Sequence, residues 1–157
     1  MGNSIKLKNY LNIMEEIAAG GDITPGHLVS LTSSDTVVVH PTTAGPALIM
    51  FAVEDELQGK GIDDAFASGD KVQVWIPQRG DQVLAIIPDG SNIAIGDLLE
   101  SAGDGQLQEH TVGSTGSPEY PISIIGVALE AKDLSDTSGA ESSGPLGYDK
   151  RLKIRIV

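Results

Sequence analysis

The sequence predicts a mainly β protein, a barrel or sandwich of short strands. Three observations carry this. Short runs rich in Ile and Val alternate with Gly, Asp and Pro punctuation, the pattern of many short strands joined by tight turns. The dipeptide Gly-Asp stands directly before a strand-like run at Gly69-Asp70, Gly80-Asp81 and Gly96-Asp97. Glycine supplies a positive φ there, and aspartate can bond its own turn backbone before the strand begins. Pro25-Gly26-His27 is a looser version of the same signal. The spacing is too irregular for a propeller or solenoid.

The elements follow in order. Residues 1–22 form an N-terminal segment, and residues 23–157 the β domain. Within the first, Leu7, Leu11, Met14 and Ala18 fall on one helical face, widened by Tyr10, Ile13 and Ile17. The same stretch also reads as a terminal arm that orders on a partner, and Gly20-Gly21 ends it. Leu28–Leu31 and Thr36–His40 read as two strands around Ser33-Ser34-Asp35, and residues 46–53 as a third. Residues 54–68 are a polar excursion. In Lys71–Ile76, Val72, Val74 and Ile76 alternate with Lys71, Gln73 and Trp75. Strands are also expected at 82–87, 93–95, 98–99, 122–130 and 151–157. In the last, Leu152, Ile154 and Ile156 form an apolar face, and Arg151, Lys153 and Arg155 a cationic one. That face pairs either with acids in the same sheet or with an acidic partner. Residues 103–121 and 132–150, rich in Gly, Ser and Asp, read as two long surface loops.

Composition narrows the function. The 22 acids against 10 bases give a formal charge of −12, the opposite of a nucleic-acid-binding footprint. Four of the ten bases lie in the last eight residues and two in the first eight. An acidic middle with basic ends suits docking between protein surfaces, or simply solvation. There is no cysteine, hence no disulfide or thiolate metal site. At 157 residues a single domain buries a sufficient core without either. No apolar run approaches the roughly 18 residues of a membrane span. The start lacks the apolar run of a signal peptide, so a soluble product made in the cytoplasm is expected.

No enzyme motif stands out: no Gly-x-Ser-x-Gly elbow, no phosphate loop, no His-Glu-x-x-His. Gly103-Asp104-Gly105 opens like a dinucleotide loop, but position 108 is Gln. His27, His40 and His110 are far apart without ligand spacing and read as turn or surface residues. Glu54-Asp55-Glu56 and Asp63-Asp64 read as a solvated acidic loop. A biotinyl or lipoyl carrier needs an exposed hairpin lysine, and neither Lys60 nor Lys71 has that setting. The single tryptophan, Trp75, is either an interface anchor or core, depending on whether its face is covered.

The order of motifs adds a resemblance. Ile23-Thr24-Pro25-Gly26-His27-Leu28-Val29, the stretch from Phe51 to Ala67, Gly69-Asp70-Lys71-Val72, the stretch from Arg79 to Ala85, the stretch from Ile95 to Ser101, and the two closing runs 126–131 and 151–157 together resemble the capsid decoration, or cement, proteins of tailed bacteriophages, similar to the phage lambda head decoration family. The resemblance implies a small β-barrel or β-tulip-like domain with an N-terminal arm, and a structural virion protein, not an enzyme, that binds the outside of the expanded shell and clamps neighbouring subunits of the major capsid protein. It implies a homotrimer made in the host bacterial cytoplasm and placed on the virion capsid surface, with no cofactor, no metal, no nucleic acid and no membrane partner. The N-terminal arm would supply capsid contacts, with Ile5, Lys6, Leu7, Lys8, Tyr10, Leu11 and Ile13 as candidates. Trp75, Arg151, Lys153 and Arg155 are candidates for the trimer or capsid interface. The competing reading is a soluble β-barrel module that binds a host surface or carbohydrate through loops 103–121 and 132–150.

Overall fold

The computed structural model describes residues 4–112, 122–135 and 150–157. The mainly β expectation holds: the described elements are thirteen strands and one 3₁₀ turn. The first sheet contains β1 (Lys6–Lys8), β7 (Gln82–Ile86), β13 (Arg151–Ile156), β11 (Ile124–Ala128), β9 (Leu98–Ser101) and β10 (Leu107–Glu109), in that order. The second contains β3 (Val29–Leu31), β4 (Thr36–Val39), β2 (Ile13–Ala19), β6 (Lys71–Ile76) and β5 (Phe51–Val53). A two-stranded ribbon pairs β8 (Asn92–Ile93) with β12 (Lys132–Asp133).

Neither sheet closes into the expected barrel by a full ladder, but the second curls far round. The chain before β3 meets β5 through the Leu28–Phe51 bridge, with Val29 N–H donating to the Met50 carbonyl. The curl encloses a small core of its own, including Ile23, Val29, Val37, Phe66, Val72 and Val74. Its outer face, with Phe51, Val53 and Trp75, packs on the first sheet's Val83, Leu99, Ile125, Leu152 and Ile154 to make the larger core.

This arrangement settles Trp75. Strand β6 is covered on both faces, so Val72 and Val74 enter one core and Trp75, fully buried, the other. An interface role for this side chain is thereby corrected to packing.

The helical periodicity of the N-terminal segment is also corrected. Residues 6–8 and 13–19 are strands. Strand β2 lies in the middle of its sheet, antiparallel to β6 over six register pairs and parallel to β4. Met14 sits opposite Trp75 and packs against the larger core, while Ile17 sits opposite Val72 and packs against the smaller one. Apolar residues on both sides of a strand blur the period of two, and helical spacing then emerges by default.

The Gly-Asp turns behave as the sequence requires. Gly69, Gly80 and Gly96 have φ of 91°, 96° and 95°. In each turn the aspartate carboxylate accepts the backbone N–H three residues back: Ala67 at 3.0 Å, Gln78 at 2.7 Å and Ala94 at 2.8 Å. Of the two expected long loops, the first contains β10 and the second begins with β12. Residues 113–121 and 136–149 lie outside the described residues.

Candidate functional site: an apolar face with a cationic rim

One region gathers six of the eleven exposed large apolar side chains among the described residues: Tyr10, Leu11, Ile13, Leu48, Ile122 and Val157. Ile13 pairs with Ile76 at the end of the β2–β6 ladder. The turn from Pro77 to Asp81 follows. It is tied to the C-terminal strand by Gly80 N–H to the Ile156 carbonyl, and by Ile156 N–H to the Asp81 carbonyl. Asp81 is buried, and its carboxylate also accepts Tyr10 N–H at 2.9 Å. One aspartate therefore holds both its own turn and the 8–11 segment beside it. Tyr10 is 89% exposed, and Leu11 and Ile13 are about half exposed.

Next to this rim runs a shallow groove lined by Leu48, Ile49, Ile76, Ile122, Ile124 and Val157. Ala47 N–H donates to the Ile122 carbonyl and closes its floor. Leu48 and Ile122 are 67% and 60% exposed. Exposed apolar residues scattered singly mean nothing, but a contiguous set rimmed by polar groups marks an interaction surface. The rim here is cationic. Lys8 and Arg155 both lie opposite Gln82, so the three form one row across β1, β7 and β13. Arg79 stands in the adjoining turn. None of these three bases has an acidic partner among the described residues.

The remaining predicted contact residues divide by burial. Ile5 is fully buried in the larger core, its N–H donating to the buried Glu54 carboxylate at 3.1 Å, so it is removed from the contact set. Lys6 and Leu7 are partly buried, and the Lys6 ammonium bonds the Asn12 side chain. Lys153 is partly buried, its N–H donating to Glu130. Arg151 is buried and points inward. Its guanidinium meets Asp63 at 2.7 Å and the Pro25 and Ile62 carbonyls. It is a clamp within the chain, and its place in the cationic face of the last strand is corrected accordingly. The sequence pattern shows alternation but not which loop covers the strand's far end.

The acids of 54–64 are likewise more than a solvated loop. Glu54 and Asp55 are buried, and Asp63 takes Arg151. His40, expected at a turn or surface, is buried, its ring between the Ser101 hydroxyl at 2.8 Å and the Pro46 carbonyl at 3.2 Å. Ser101 itself is fully buried, so this pair fastens the 40–46 segment to β9 and presents no nucleophile. His110 and Glu100 pair at 2.6 Å. No group of three or more metal-ligating side chains is found among the described residues.

His27 occupies the place of the aspartate in the Pro25-Gly26 turn. Its Nδ1 accepts Thr24 N–H at 3.1 Å, with Gly26 at φ 100°. Burial pushes its pKa down to about 4; Asp104 opposes this and Arg151 adds to it. Protonation would also abolish Nδ1 as an acceptor. Because the folded value lies below the unfolded one, this contribution is intact above about pH 6.5 and fades as pH falls toward 4. Denaturant titrations at pH 7 and pH 5 should show the wild type losing roughly 2 kcal/mol through this group. His27→Asn keeps an acceptor without the titration and should lose less.

No protein-family model and no curated protein matches this chain. Among solved structures, it is similar to the N base of the head fiber gp8.5 in bacteriophage phi29, at 14% identity and a TM-score of 0.57, over 94% of this chain and 95% of that one. At that identity the likeness is one of fold: the chain shares its mainly β architecture with the base of a phage head fiber.

Proposed function

We propose that this chain is a non-enzymatic structural protein of a phage virion. It sits on the outer surface of the expanded head, as a homotrimer that joins neighbouring subunits of the major capsid protein. The observation that carries the reading is the fold likeness to a head-fiber base, which runs almost the full length of both chains. The order of turn-and-strand motifs along the sequence points the same way. The exposed turn at Lys8, Tyr10 and Leu11 gives such a protein a contact of the right kind: an aromatic anchor, an aliphatic neighbour and a cation, all held from beneath by Asp81. A trimer engaging several shell subunits converts its later contacts into intramolecular ones. Whatever binds the assembled shell preferentially stabilises it.

The test is co-sedimentation with expanded shells that lack the protein. Saturable binding at a fixed ratio to the major capsid protein is expected. Tyr10→Ala should weaken it by about 30-fold, the equivalent of a 2 kcal/mol anchor. Point substitution is the sharper tool because deleting the segment would remove β2 from the middle of its sheet. Wild-type protein that leaves its own phage's shells bare would overturn the reading and turn attention to ligands of the 103–121 and 132–150 segments.

A further inference from the structure

Among the described residues nothing covers the apolar groove, and the same molecule carries a matching projection elsewhere, beside Asn12, Met14 and Gln73. The 3₁₀ turn Glu56–Gln58 is firmly built. Asp55 accepts Gln58 N–H from its side chain at 3.3 Å, and Gly59, at φ 73°, returns its N–H to the Glu56 carbonyl at 3.0 Å. The turn holds Leu57 at its apex, 100% exposed, with the exposed carboxylate of Glu56 beside it. The bases near this turn are engaged elsewhere: Lys6 with Asn12, and Lys60 with Asp70 at 3.7 Å. The projection is therefore an apolar knob with an acidic flank. The groove is its converse, an apolar trough flanked by Arg79 and Arg155, cations with no acidic partner among the described residues.

The two cannot meet within one molecule. Ile49 and Ile76 line the groove at one end of the β5–β6 pair, and the knob follows the other end, beyond Val53 and Gln73. At about 3.3 Å per residue, roughly 13 Å of strand separates Ile49 from Val53 alone. A second copy can bring them together. We infer that copies of this chain join head to tail, Leu57 of one seating in the groove lined by Leu48, Ile76 and Ile122 of the next, with Glu56 facing Arg79 and Arg155. The contact joins two different patches, so it repeats around a ring when the rotation closes. It fills the groove. The inference rests on the reading of the chain as a self-assembling virion protein, and it names the surfaces through which the copies meet.

Sedimentation velocity on the full chain tests it, with Leu57→Asp, Leu48→Asp and an equimolar mixture of the two. Both side chains lie outside the core, and unchanged circular dichroism melts confirm that each variant folds. Wild type is expected well above the 16.3 kDa of one chain. Each variant alone should run as a monomer. The mixture should recover a dimer and nothing larger, because only one intact knob and one intact groove remain between the two partners. A monomeric wild type, a Leu57→Asp protein that assembles like wild type, or a mixture that stays monomeric would each overturn the inference. Shell binding is scored separately. A monomer that still coats shells overturns the knob-in-groove contact alone, and an assembled protein that binds no shell overturns the capsid reading alone.

Discussion

Arg151→Ala is expected to remove about 3 kcal/mol of folding stability, the low end of the range for breaking a buried ion pair because Asp63 still reaches solvent. For a chain of this size that is a fall of roughly 6–12 °C in melting temperature. The effect exceeds that of a surface pair, since Arg151 is 2% exposed and serves three acceptors from two places in the chain. Those are the Asp63 carboxylate, the Ile62 carbonyl beside it and the Pro25 carbonyl in the turn that feeds β3. Removing the guanidinium leaves two buried carbonyls without a donor and unpins the 54–68 excursion from the C-terminal strand. Lysine has no planar fork, so Arg151→Lys should recover only part of the loss. Calorimetry on the three proteins at neutral pH checks both statements.

Trp75→Ala should cost about 3–5 kcal/mol, the range for deleting a large buried aromatic. The side chain is fully buried and joins the outer face of the curled sheet to the first sheet. A companion variant separates packing from polarity. The indole Nε1 has no hydrogen-bond partner among the described residues, and a buried donor left unpaired carries a penalty of its own. Trp75→Phe keeps much of the ring and discards that donor, so it should cost less than about 2 kcal/mol. Equal losses from phenylalanine and alanine would show that the unpaired N–H is not a burden at this site. Guanidinium unfolding followed by circular dichroism distinguishes the outcomes.

Local chemistry was legible in the sequence wherever it is self-contained. The Gly-Asp turns need only their own four residues, and all three form with the carboxylate bonded as expected. The strand 151–156 keeps its apolar face buried because Leu152, Ile154 and Ile156 alternate without interruption. What depends on distant partners was not legible. Residues 13–19 carry a helical spacing, yet become a central strand because β6 and β4 flank them. Arg151 follows the alternation of its strand, but Asp63 and Pro25 turn it inward. The candidate contact surface shows the same division. Lys8, Tyr10, Leu11, Ile13 and Arg155 were identifiable from position and residue type. Arg79 and the groove residues from 47–49 and 122–124 were not, since only the fold brings them beside the N-terminal turn. Ile5 and Trp75 look like contact residues in the sequence and are core in the structure.

The most direct test of the capsid-binding proposal is an electron cryomicroscopy reconstruction of expanded shells saturated with the protein, compared with the same shells bare. The account predicts added density on the outer surface, into which the two-sheet fold fits with the Lys8–Leu11 turn against the shell. Shells identical with and without the protein, or density confined to the interior, would contradict it.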